Sequence, residues 1–129
     1  LREGSDVPVI CMGIMVKKSL EAADILEKSG ISVEVVDVRT LVPFDKDTLI
    51  KSVAKTNHAV IAHEAHERAG PGAEISAVLA SEAIEYLDGP ILRVAAKNVP
   101  LPYSPVLEQY VLANVKDIVE AVESLFPNR

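Results

Sequence analysis

The pattern that most restricts this chain is an alternation of two kinds of segment. Four short runs, Val7–Cys11, Ile31–Val38, His58–His63 and Ile91–Ala95, are mainly apolar and rich in β-branched residues, the second interrupted by Ser32, Glu34 and Asp37 and the fourth by Arg93. Between them, apolar residues recur at three- and four-residue spacing: Val16, Leu20, Ala23 and Leu26; then Leu49, Ile50, Val53 and Ala54; then Ile75, Val78, Leu79 and Ala83. The clearest stripe comes last, with Val115, Ile118, Val119, Val122, Leu125 and Phe126. Strands that are apolar on both faces must be covered on both, so the alternation predicts a mostly parallel sheet between helical layers. Right-handed crossovers then distribute the helices over the two sides. The expected fold is α/β, a three-layer α/β/α sandwich around a small sheet of four to five strands.

Local signals set the boundaries. Gly30 stands where a helix C-cap glycine belongs, ending a helix over 15–29. Asp45 is placed to cap the next helix, and Pro71 suits a first helical turn after Gly70. That third helix runs toward Leu87-Asp88-Gly89-Pro90, and Pro100, Pro102 and Pro105 mark an irregular crossing. One domain over 1–129 is expected, with 1–6 a linker or edge-strand remnant and 127–129 a tail.

Composition narrows the function classes. A single cysteine makes no internal disulfide, and 13 basic against 19 acidic residues offer no basic stripe for nucleic acid. The apolar runs fall far short of the roughly 20 residues of a membrane span. The chain opens Leu1-Arg2-Glu3 without Met or signal peptide, and reads as a cut through a longer polypeptide.

Open parallel sheets bind ligands beyond the carboxyl ends of their strands, which directs attention to four short segments. His63-Glu64-Ala65-His66-Glu67 has two histidines three apart at a strand end, whereas a helical zinc site needs them four apart, so a turn leaving the strand is the better reading. Gly70-Pro71-Gly72 fits no phosphate fingerprint, and Pro71 removes one donor; a tight turn with a helix cap is favoured. Cys11 lacks an adjacent Lys or His to activate it and reads as a small core residue. Asp37 and Arg39 flank a strand end before Pro43 and Asp45, which suggests a pinned turn with an internal ion pair.

The block Val35-Val36-Asp37-Val38-Arg39-Thr40-Leu41-Val42-Pro43-Phe44-Asp45 resembles a motif of transketolase C-terminal domains. More narrowly, it resembles the beta subunits of thiamine-diphosphate-dependent 2-oxo acid dehydrogenases, such as the pyruvate, branched-chain and acetoin enzymes. His63-Glu64-Ala65, Gly72-Ala73-Glu74-Ile75, Asp88-Gly89-Pro90, Arg93-Val94, Pro100-Leu101-Pro102-Tyr103 and Leu107-Glu108 continue that resemblance in order. It implies a non-catalytic domain of an oxidoreductase that decarboxylates a 2-oxo acid and passes the acyl group to lipoamide. Thiamine diphosphate and magnesium would be held elsewhere in the parent enzyme, so no catalytic, cofactor or metal residue is assigned and the isolated domain is predicted inactive. The resemblance also implies an antiparallel edge strand, with Leu1 to Glu3 as its remnant.

Implied partners are the alpha subunit, a second beta subunit and the subunit-binding domain of a dihydrolipoyl acyltransferase. Asp88, in the Tyr86-Leu87-Asp88 turn, and Phe126, near the end of the last helix, match positions that meet basic residues of that acyltransferase domain. His63, Glu64, His66, Glu67 and Arg68 fall in a loop that lies toward subunit contacts in the family. Here His66-Glu67-Arg68-Ala69-Gly70-Pro71 replaces the family's common Pro-Arg-Thr-Gly-Gly-Phe, which changes the charge of that surface. The implied location is the bacterial cytoplasm, or the mitochondrial matrix in a eukaryote. The alternative is a free-standing flavodoxin-like binding or signalling module. A phosphoacceptor version needs paired acids after the first strand and an Asp after the third, where this chain has Cys11-Met12-Gly13 and His63-Glu64.

Overall fold

The structure is a computed structural model and describes residues 1–40 and 45–128. The order is β1 (Val7–Cys11), α1 (Met15–Glu27), β2 (Val33–Asp37), α2 (Lys46–Thr56), β3 (Val60–His66) and α3 (Pro71–Glu82). A one-turn 3₁₀ helix (Ile84–Tyr86), β4 (Leu92–Ala96), α4 (Pro105–Val111) and α5 (Val115–Leu125) follow. The four strands lie in the order β2-β1-β3-β4 and every pairing is parallel. After β2 the chain returns past β1 to lay down β3, so the strand order reverses between β1 and β3. The three-layer reading therefore holds.

The period-two geometry of β1 divides its side chains between two cores. Val7, Val9 and Cys11 join Leu26 of α1 and Ile118 and Val122 of α5, whereas Ile10 and Ile61 meet Leu49, Val53, Ile75 and Leu79 of α2 and α3. Every residue of β1 is buried, as a central parallel strand requires. At the β2 edge, Arg2 and Val35 exchange antiparallel backbone bonds of 3.2 and 2.9 Å. This is an isolated bridge, and Leu1 to Glu3 form no strand of the sheet. The Arg2 guanidinium also bonds Asp24 and Glu27 of α1, tying the segment down. On β2 itself, burial pushes Glu34 up, but bonds from Lys55 and Ser52 outweigh it and hold the carboxyl below its usual range.

Several boundaries differ from the sequence reading. Helix α1 stops at Glu27 because the Gly30 and Ile31 amides turn back to Glu27 and Leu26, with Gly30 at φ 80°. Strand β3 does not turn off at His63 but continues to His66, which pairs with Ala96 beyond a register irregularity. Helix α3 ends at Glu82, earlier than expected, and a 3₁₀ turn completes the path to Leu87. Helix α4 was not foreseen: Pro105 occupies its first turn, where the missing amide costs no hydrogen bond. The capping motif predicted for Asp45 is present, its Oδ1 accepting the Thr48 amide at 3.2 Å. Leu41, Val42, Pro43 and Phe44 of the motif block, and Arg129 of the tail, lie outside the described residues.

Candidate functional site

The carboxyl ends of β1 and β3 meet at the reversal point, where an open sheet keeps its ligand crevice. Glu64 crosses that point and its Oε1 accepts the Ile14 amide at 3.0 Å. Gly13, at φ 63°, passes so close that a Cβ there would stand 2.9 Å from the same oxygen. Helix α1 has no acid in its first turn and no cap from its own N-cap residue, Ile14. The Glu64 carboxylate therefore supplies from a distant strand the negative charge that favours a helix start. Glu64→Ala is expected to lower stability by about 1 kcal/mol, with Glu64→Gln losing less, both read from thermal unfolding. An unchanged melting temperature in the alanine variant removes this role.

His63 is 1% exposed. Its Nδ1 donates to the Ala65 carbonyl at 3.1 Å, and burial holds the ring below the ordinary imidazole range. Nε2 is buried with no hydrogen-bond partner among the described residues. The first turn of α3 closes over it: a Cβ on Gly72 would lie 2.5 Å from Nε2, and one on Gly70 2.9 Å from Cε1. The two glycines thus serve ring packing rather than phosphate binding.

The following loop is stitched to the end of β4. His66 Nε2 donates to the Val99 carbonyl at 2.9 Å, the Glu67 amide to Ala96 at 3.0 Å and the Arg68 amide to Asn98 Oδ1 at 2.8 Å. Arg93 binds the Glu67 carbonyl at 2.8 Å and its carboxylate at 3.6 Å. Of the five residues expected at a subunit-facing loop, His63 is corrected to a core position, because the strand carries it inward beneath α3. Glu64, His66, Glu67 and Arg68 are exposed.

The remaining chemical candidates resolve simply. Cys11 is buried, with burial pushing its thiol up to about 11, so it stays protonated and unreactive. Asp37 and Arg39 approach at 3.7 Å with Arg39 81% exposed, a geometry worth little. Among the described residues no group of three or more His, Cys, Asp or Glu could hold a metal ion. The start of α1, the natural seat for a phosphoryl group, is taken by Glu64. These groups do not fit magnesium or a diphosphate, and no chemical step is assigned to them.

At the opposite end of the sheet, Asp88 is exposed and its amide donates to the Asn57 carbonyl at 2.9 Å. Asn57 caps α2 in the left-handed conformation, and its side chain donates to the Tyr86 carbonyl at 2.7 Å. A Cβ on Gly89 would meet Leu125, and the half-buried Phe126 stacks on His58 with ring centroids 4.8 Å apart. Asp88 and the end of α5 thus share one corner, remote from the 64–70 loop. Sequence reasoning missed Asn57, whose signal was an αL-tolerant residue directly after a helix, and the exposed apolar span around α4.

The family model for the transketolase C-terminal domain matches residues 1–118. Curated relatives include the pyruvate dehydrogenase E1 component subunit beta of Rickettsia felis, 46% identical over 97% of this chain and 38% of that protein. The subunit of the same name from Staphylococcus epidermidis is 48% identical over 95% of this chain and 38% of its own length. The mitochondrial subunit of Dictyostelium discoideum is 42% identical over 95% of this chain and 34% of its own. The chain thus spans little more than a third of these relatives. Among solved structures, a chain described as a split gene transketolase, inactive beta4 tetramer, matches at TM-score 0.82 and 33% identity, covering 95% of this chain and 39% of that one. Among the described residues no helix is long and apolar enough to cross a membrane.

Proposed function

The chain belongs to the transketolase C-terminal domain family, and from that premise we propose that it is the C-terminal domain of the beta subunit of a 2-oxo acid dehydrogenase of the pyruvate type. The observation that carries the reading is 46% identity over 97% of the chain to a subunit of that name. In this reading the parent enzyme decarboxylates a 2-oxo acid with thiamine diphosphate and magnesium held outside this domain, and passes the acyl group to lipoamide. The domain contributes assembly with the alpha subunit and a second beta subunit, and docks the acyltransferase. It works in the bacterial cytoplasm or the mitochondrial matrix. The test reconstitutes the polypeptide carrying this chain with its alpha subunit and measures pyruvate-dependent acylation of lipoamide. Activity is expected from that assembly and none from the chain alone; tight thiamine diphosphate binding by the chain alone overturns the reading.

The docking surface is the Asp88–Phe126 corner. An exposed carboxylate beside an aromatic ring suits a basic segment, the charge steering encounter and the ring excluding water. Asp88→Lys is expected to weaken binding of the acyltransferase's subunit-binding domain at least tenfold, by titration calorimetry, because it sets like charges face to face. Its melting temperature should barely move, since the turn is held by the Asp88 amide, which the substitution keeps. An unchanged affinity removes Asp88 from the interface.

A further inference from the structure

We propose that the backbone over 69–73 is a proton-operated clasp: closed, it seals His63 beneath the first turn of α3, and a second proton on that imidazole opens it. The Nδ1 proton of His63 is already committed to the Ala65 carbonyl at 3.1 Å, while Nε2 is buried with no hydrogen-bond partner among the described residues. A ring that takes up a second proton there gains an N–H and a positive charge, and the closed clasp offers neither an acceptor nor water. On that side the ring meets backbone instead. A Cβ on Gly72 would stand 2.5 Å from Nε2, and one on Gly70 2.9 Å from Cε1.

The surrounding charges do not rescue a buried cation. The start of α3 presents the positive end of its dipole, and Arg93 on β4 adds a like charge. The nearby carboxylates are engaged or outside: Glu64 accepts from the Ile14 amide, Glu67 pairs with Arg93, and Glu74 of the first turn of α3 is exposed. On the adjoining loop, His66 bonds the Val99 carbonyl and Arg68 is an exposed cation. Burial is the largest influence on the ring and holds it below the ordinary imidazole range; the Ala65 bond opposes this only in part.

The backbone supplies the spring. Ala69 sits at φ 58°, in the left-handed region that an L side chain adopts at a cost. Gly70, the N-cap of α3, has no side chain with which to hold the helix start. The residues just before are anchored, the Glu67 amide to Ala96 and the Arg68 amide to Asn98, so opening is confined to the clasp itself. The sign follows from the ring. Closure is fully favoured above the ordinary imidazole value of about 6.5 and weakens as pH falls below it, by at most about tenfold per pH unit for one proton. An open clasp turns a face without an exposed imidazole at position 63 into one that bears a cation there. This device is independent of the proposed function and is read without partner or substrate.

Both cores close within the chain, so it can be studied as it stands. Amide hydrogen exchange from about pH 7.5 to about 5.5, bracketing the ordinary imidazole value, reads the clasp at Ala73 and at the buried Ile75. The Ala73 amide donates to the Gly70 carbonyl at 3.0 Å in the closed form. Corrected for the intrinsic pH dependence of exchange, protection at both amides is expected to fall by up to about tenfold across that span. The Asn57 amide, bonded to Val53 of α2, should keep its protection. Nitrogen-15 spectra should show His63 gaining its second proton in step with the fall. His63→Asn, which keeps a donor for Ala65 but does not titrate, should abolish the pH dependence whatever its starting protection, whereas His66→Gln should retain it. If the asparagine variant does not fold, Ala69→Gly still decides the matter: relieving the closed-state strain should raise protection about fivefold at every pH. Protection in the wild type that is flat with pH, a pH dependence that survives His63→Asn or vanishes in His66→Gln, or His63 protonating while Ala73 stays protected overturns the proposal. Protection left unchanged or lowered by Ala69→Gly overturns it as well.

Discussion

Gly72→Ala is expected to cost the fold about 2 kcal/mol, although alanine is the better helix former by about 1 kcal/mol. The introduced methyl would stand 2.5 Å from His63 Nε2, 2.7 Å from Cδ2 and 3.3 Å from an Ile61 methyl. Neither neighbour yields cheaply: the imidazole is 1% exposed and tethered through Nδ1 to Ala65, and Ile61 is wholly buried. Overpacking therefore outweighs propensity, and the sign is destabilising. The decisive control is a double-mutant cycle. His63→Ala removes the ring and leaves space beside Gly72, so in that background Gly72→Ala should be neutral or mildly stabilising. Urea denaturation of the four proteins reads the coupling, expected at 1–3 kcal/mol for contacting residues. If the single Gly72→Ala variant keeps the wild-type midpoint, the first turn of α3 does not rest on His63.

Leu79→Ala should lose more, about 2–5 kcal/mol, because Leu79 is 0% exposed and sits among Ile10, Val53, Ile61 and Ile75. Removing it forfeits transfer free energy and leaves a cavity between α3 and the sheet. Against a typical domain stability of 5–15 kcal/mol, that is enough to lower the melting point by many degrees. Leu107→Ala deletes the same atoms from a side chain 54% exposed and should change the stability of a single copy by about 0.5 kcal/mol or less. Thermal unfolding at low protein concentration measures both. Equal losses at the two positions would contradict the division into buried core and exposed surface.

The layered fold was legible in the sequence because burial on both faces of a parallel strand leaves a plain signature. The run Val7–Cys11 could be read as a strand without knowing its neighbours. The end of β3 was not legible, since His63, Glu64 and His66 are polar residues inside a strand, held there by pairing with β4 that no local pattern encodes. Helix α4 hid behind Pro100, Pro102 and Pro105, because proline is compatible with both an irregular crossing and a first helical turn. For the site, the turn at Asp88 was visible as Asp-Gly-Pro, but its junction with α5 rests on contacts spanning much of the chain. The Gly70-Pro71-Gly72 signal was read as a turn, and its stricter reason, an imidazole directly beneath, is purely tertiary.

The Glu64 carboxylate at the start of α1 carries a consequence for how this fold changes over time. It behaves as a tethered competitor: any free anion seeking the crevice between β1 and β3 must displace a group whose effective concentration is on the order of millimolar or above. Conversely, the vacancy is a single substitution away, since losing one side chain frees a positioned amide beside Gly13 without disturbing the sheet.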